Sequence, residues 1–310
     1  MTEKSLQEVA DYIVPLDVNG LSGRMLEMPA PKRYKREILI IYGHHALLER
    51  WWGLAQSFND VGAVTMPDLP GFGGMDPFFT IGKQPTIDNY ADYLAAFVKM
   101  RYKRRRFTVV GISFGFVVVT RMLQKYPELA KKVDLVVSIV GFMHRDDFLF
   151  KPRQRTSYAF WTRQMSRRPI AWLIRYGWLN RFTIRQIYIK LPAGKRRFLD
   201  MDPEEFDTMM DFEVKLWQAN DVRTHWQTTS EFLKLDNCQK QVDLPSFHVA
   251  SSHDHYFDND IVEQHMRVVF NDYQRATMKS KAHTPSVLGD KKDMSIMVPP
   301  TLRKELRKRL

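Results

Sequence analysis

Cysteine is almost missing from this 310-residue chain, with Cys238 the single example. One thiol excludes an internal disulfide and any zinc site built on several cysteines, and it fits a reducing compartment. Long hydrophobic runs are missing too. No apolar stretch reaches the ~20 residues that cross a bilayer. The opening MTEKSLQEVADY has no apolar segment of the secretion-signal kind, so the expected location is cytoplasmic. There are no internal repeats, no low-complexity tracts and no signature of a nucleic-acid-binding module. What the chain has in excess is positive charge, 47 Lys and Arg against 35 Asp and Glu, a net +12. The basic residues concentrate at Lys103 to Arg106, from Lys151 to Arg197 and from Arg303 to Arg309. Such an excess favours anionic partners. With no module to read nucleic acid, no nucleic-acid partner is expected, and peripheral contact with an anionic membrane stays open.

Hydrophobic residues make up 44% of the chain, enough for a sizeable core. Residues 11 to 28 read as a hairpin about Asn19-Gly20, a dipeptide suited to the positive φ angles of a tight turn. Buried strands are predicted at Glu37 to Gly43 and Asp134 to Val140, and further strands in GAVTMPDLPGFGG, at Phe107 to Val110, in SFHVASS and in YQRATMKSKA. Helices fall between them at Leu47 to Asn59, Ile87 to Met100, Phe116 to Tyr126 and Asp260 to Phe270. Alternation of this kind specifies an α/β fold with a mostly parallel central sheet flanked by helices. It breaks from about residue 144 to residue 237. That stretch is rich in Trp, Tyr, Phe, Arg and Lys and reads as an inserted group of helices.

The most informative stretch is VVGISFGF, Val109 to Phe116. An apolar strand runs into Gly111-Ile112-Ser113-Phe114-Gly115, and a helical pattern follows. Strand, G-x-S-x-G, helix is the pattern that exposes a serine on a sharp, strained turn above the sheet edge. Gly111 and Gly115 leave room for the neighbouring strand and helix. The bland alternative is a serine that only caps the helix.

A serine hydroxyl needs a base, and the base needs an acid to orient it. After Ser113 the chain offers Asp254, just past SFHVA, and then His283, just past the last predicted strand. Asp258 and Asp260 are rival acids nearer the next helix, where Asp260 reads as the N-cap. Asp146 and Asp147 are acids from another strand end. His253 and His255 flank Asp254 and could suggest a metal site, but H-x-H here lacks further ligands at an obvious spacing. No metal is therefore expected. A developing oxyanion needs two backbone donors. Phe114 supplies one, His44 is the best-placed second, and Gly43 lets that loop approach the site.

In these features the chain resembles the α/β-hydrolase superfamily. The resemblance rests on Tyr42-Gly43-His44, DLPGFGG at Asp68 to Gly74, GISFG, Asp254 and His283, in that order, and covers nearly the whole chain. It implies a hydrolase core in two parts (1–143 and 238–290), a helical cap or lid at 144–237 and a basic C-terminal tail at 291–310. The family commonly carries His-Gly where this chain has Tyr42-Gly43. Asp68 is implied to fix loop structure rather than do chemistry. A serine nucleophile implies acyl chemistry or carbon–carbon bond hydrolysis, not the aspartate chemistry of the family's dehalogenases and epoxide hydrolases. The acyl chemistry implied by the resemblance needs no cofactor. The reading is an esterase or lipase-like serine hydrolase acting on a small molecule. The alternative is a non-catalytic binding protein on the same fold. The insertion's aromatics, Tyr158, Phe160, Trp161, Trp172, Tyr176 and Trp178, are expected mainly to pack it onto the core, with its arginines solvated. The tail residues Leu302, Leu306 and Leu310 share one helical face, which suits a docked helix or a membrane contact equally.

Overall fold

The computed structural model describes residues 3–32, 36–190, 202–280, 283 and 289–308. Among these, eight strands form one sheet in the order β1-β2-β4-β3-β5-β6-β7-β8. β1 (Ile13–Val18) and β2 (Leu21–Met28) are the antiparallel hairpin. Asn19 and Gly20 turn it with φ of 52° and 80°, the region both central positions of such a turn require. β2 pairs antiparallel with β4 (Ala63–Pro67). From there β3 (Glu37–Ile41), β5 (Phe107–Ile112), β6 (Val133–Ile139), β7 (Ser246–Ser251) and β8 (Tyr273–Met278) are all parallel. β5 and β7 are buried at every position, as expected of strands covered on both faces.

The chain steps outward from β3 to β4, then returns across β3 to β5 and runs on to β8. The strand order therefore reverses between β3 and β5. The crevice beyond the carboxyl ends of two such strands is where open α/β sheets bind ligands. Here those ends carry Gly43-His44 and Ser113.

Helices α1 (Glu3–Ala10), α2 (Trp52–Asn59), α3 (Ile87–Arg101) and α4 (Phe114–Lys125) belong to the core region. Between β6 and β7 come α5 (Pro152–Met165), α6 (Arg168–Leu173), a π turn (Ile174–Trp178), α7 (Arg181–Lys190), α8 (Pro203–Ala219) and α9 (Val222–Phe232). The aromatics do not pack this group onto the core, contrary to expectation. Tyr158, Phe160, Trp161, Trp172, Tyr176 and Trp178 are all exposed. The attachment is made later in the insertion. Met209, Phe212 and Leu216 of α8 cluster with Leu47, and Phe232 of α9 joins the main core.

α10 (Asn259–Val269) follows β7, and its N-cap is Asp258 rather than Asp260. The Asp258 carboxylate accepts from the N–H groups of Asp260 and Ile261, while the exposed Asp260 side chain lies 3.8 Å from Arg275 Nη1. α11 (Pro300–Lys308) closes the described chain, with Leu302 and Leu306 fully buried against the body. That settles the tail as a docked helix over these residues. Leu310 lies outside the described residues.

Candidate active site

Ser113 joins β5 to α4 with φ 49° and ψ −116°, a conformation L-residues other than glycine rarely hold. The turn is pinned from both sides. The Ser113 N–H donates to the Ile139 carbonyl at 2.9 Å, and the Phe116 N–H donates to the Ser113 carbonyl at 3.0 Å. The hydroxyl makes no capping bond to α4, so the serine is not serving as a cap. Both flanking glycines are sterically required. A Cβ on Gly111 would meet the Phe116 Cα at 2.4 Å, and one on Gly115 would meet the Ile41 carbonyl oxygen at 2.1 Å. A Cβ on Gly43 would lie 3.3 Å from the Cβ of Ser113, which puts the β3 loop directly beside the serine.

Beyond β7, Asp254 organises its own turn. Its Oδ1 accepts from the N–H groups of Tyr256 at 2.8 Å and Phe257 at 3.3 Å. Its Oδ2 lies 2.6 Å from Nδ1 of His283. The carboxylate is almost wholly shielded, and so is most of the imidazole. An Nδ1–H donated to a carboxylate fixes the tautomer and leaves the lone pair on Nε2, the arrangement a general base needs. The ring is held at its sides by Tyr256 and Phe257, with centroids 5.3 and 5.4 Å away. Phe257 stacks on Phe142 at 4.6 Å, Phe142 meets Phe232, and Phe232 lies 5.2 Å from Phe114. An apolar wall of rings therefore connects the His283 side of the site to the residue after Ser113.

The β3 loop is held from above by α9. His44 Nε2 lies 2.7 Å from Thr228 Oγ1 and 3.2 Å from the His225 carbonyl. The Thr228 hydroxyl already donates to the Thr224 carbonyl, so His44 is the donor. The rings of His44 and His225 lie 4.6 Å apart, and His45 packs on both His225 and Trp217. Burial pushes the His225 imidazole down to about 3. Burial and the neighbouring His225 also hold His44 and His45 well below the usual histidine range. All three are thus neutral at physiological pH. Nothing in the spacing of the sequence singled out His225 or Thr228, because they reach the site from some 180 positions further along the chain.

Tyr42 is buried and points at the DLPGFGG loop. Its hydroxyl donates to Asp68 Oδ1 at 2.7 Å and accepts from the Leu69 N–H at 2.9 Å. Arg24 bonds the other Asp68 oxygen and the Gly73 carbonyl. Burial pushes the Asp68 carboxyl upward, against the pull of Arg24 and Tyr42. Asp68 and Tyr42 are framework for this loop.

The remaining candidates are engaged elsewhere. Asp147 is buried, accepts from the N–H groups of Met143 and His144, and pairs with His265 of α10. Asp146 pairs with Arg155. His253 Nδ1 sits by the Ser252 hydroxyl and the Ser280 carbonyl, and His255 is exposed. No group of three or more His, Cys, Asp or Glu among the described residues is placed to hold a metal ion. No described helix is long and apolar enough to cross a membrane.

Comparison with known proteins adds the following. A family model described as the alpha/beta hydrolase fold matches residues 38–275. No curated protein matches the sequence. Solved structures that resemble it include a thermophilic esterase from Thermogutta terrifontis, 13% identical over 96% of this chain and 98% of that one, with a TM-score of 0.65. An epoxide hydrolase from Bacillus megaterium is 12% identical over 96% and 99%, with a TM-score of 0.63. An enol-lactonase from Burkholderia xenovorans LB400 is 10% identical over 95% and 97%, with a TM-score of 0.62. At such identities the likeness is one of fold.

Proposed function

Since the chain belongs to the α/β hydrolase fold family, we propose that it is a serine hydrolase cleaving a carboxylic ester with an apolar acyl part. Ser113 is the nucleophile, His283 the base and Asp254 the orienting acid. The observation that carries the reading is the 2.6 Å bond from Asp254 Oδ2 to His283 Nδ1, on the same sheet edge as a serine held at φ 49°.

In this mechanism Nε2 of His283 takes the Ser113 proton as Oγ attacks the carbonyl carbon. The N–H groups of Phe114 and His44 receive the oxyanion. The carbon–oxygen bond to the leaving alcohol breaks, and the alcohol takes its proton from Nε2. A water deprotonated by His283 then releases the acid and restores Ser113. The wall of Phe114, Phe142, Phe232 and Phe257 supports an apolar acyl group. The turned-away Tyr42 leaves the backbone donors of the loop as the oxyanion contacts.

The test is turnover of an aryl ester and labelling by a fluorophosphonate. Ser113→Ala is expected to lose activity by a factor on the order of a million and to lose labelling, while melting as the parent does. Undiminished turnover in that variant, or a folded parent that takes up no label, rejects the reading. A panel of acyl chain lengths then defines the pocket.

A further inference from the structure

Helices of a water-soluble protein normally turn their apolar stripe inward and their polar face outward. In α5 the arrangement is reversed. The helix packs along α9, and its covered positions are Arg155, Ala159, Thr162, Gln164 and Met165, with Thr162 the one fully buried. Tyr158, Phe160 and Trp161 face away from the body. The next turns repeat the pattern, with Ala171 buried while Trp172 is 62% exposed, Tyr176 72%, Trp178 61% and Phe182 73%. Of the fifteen large hydrophobic residues exposed among the described residues, eleven fall between Tyr158 and Ile189. At ~200 Å² per ring, the exposed aromatics present on the order of 800 Å².

The charge of this stretch is as one-sided as its hydrophobicity. From Lys151 to Lys190 there are ten Lys and Arg and no Asp or Glu. Some of the cations are used within the fold: Arg155 pairs with Asp146, Arg181 with Asp211, Arg185 with Asp207, and Arg175 bonds the Trp217 carbonyl. Arg163, Arg167 and Arg168 enter no ion pair among the described residues, and all three are exposed beside the aromatics.

We propose that the outer face of α5, α6 and the π turn docks on an anionic lipid bilayer. Tryptophan and tyrosine have an apolar body and a polar edge, and settle at the level of lipid headgroups. Arginines beside them meet the acidic headgroups. A second copy of the chain is disfavoured as the occupant by the same charge. A symmetric contact through this face would set two uncompensated basic surfaces against each other. The absence of any bilayer-spanning helix among the described residues is consistent with a protein that lies on a membrane surface. This inference is independent of the reaction at Ser113.

The experiment is flotation of the full chain with vesicles of phosphatidylcholine alone or with about one-third phosphatidylserine. Binding is expected to the anionic vesicles only, to weaken with salt, and to shift tryptophan emission to the blue. The triple variant Arg163→Gln, Arg167→Gln, Arg168→Gln should bind about a hundredfold more weakly, each arginine contributing about fivefold. Trp172→Ser with Trp178→Ser should remove the emission shift. Both variants are expected to melt as the parent does, since the altered side chains are exposed. Three results would overturn the proposal: no flotation at low salt, equal flotation with neutral vesicles, or a lipid-free dimer that Trp172→Ser dissociates.

Discussion

Ser113 is held in a backbone conformation that costs about 1–3 kcal/mol and persists only because its surroundings leave no alternative. Ile139, Phe116 and the three nearby glycines provide those surroundings. The glycines differ in what a methyl group would do. On Gly115 it would collide with backbone oxygens at 2.1 and 2.5 Å, so Gly115→Ala is expected to lower the melting temperature. On Gly43 the contact is 3.3 Å and the neighbour is the serine itself. With Ser113 as the proposed nucleophile, Gly43→Ala should therefore fold and lose about tenfold in kcat through a displaced hydroxyl and the proposed donor beside it. A Gly43→Ala enzyme of full activity with altered stability would show that the loop does not abut the reacting group. The loop positions of Ser113, Asp254 and His283 after strands were legible in the sequence, because chain order and strand ends are local features. His225, Thr228 and the use of Tyr42 were not. Their roles are contacts between distant segments, and no local spacing encodes those.

The strands and the hairpin were plain at the level of elements, since continuous apolar runs and Asn-Gly have few other readings. The inserted helices were recognisable as helices, but the direction each face points was not. The same aromatic spacing serves a helix packed on the core and one turned outward. Only the covered positions of α5, Thr162 above all, distinguish the two. α11 presents the opposite case. Its basic character drew attention to anionic partners, yet Leu302 and Leu306 are buried and Glu305 with them. Leu306→Ala is expected to cost about 2–5 kcal/mol, read as a lower denaturant midpoint. It should leave vesicle binding unchanged. A variant of parental stability with weakened vesicle binding would instead make α11 the membrane contact.

Across the whole molecule, the neutral histidines make stability depend on pH. Burial holds His225 and His248 down to about 3, and His44 and His45 also lie well below the usual range. In the unfolded chain these groups titrate near ~6.5. Between those values the unfolded state binds more protons, so stability is full above the unfolded value and falls as pH drops toward about 3. Each histidine can contribute up to ~1.4 kcal/mol per pH unit in that window. His225→Phe should flatten the acid limb of a denaturant-midpoint profile measured from pH 7 downward. An unchanged slope would mean that His225 is protonated in the folded state.

Sequence alone determined the alternation of strands and helices and the loop positions of a serine, an acid and a histidine. Both follow from local periodicity and chain order. Tertiary structure decided which side chains meet: His283 with Asp254, His44 with Thr228, Tyr42 with Asp68. It also decided which aromatic face remains uncovered. Those outcomes depend on how twisted parallel strands and an inserted layer of helices stack in space, and a linear spacing carries no record of that.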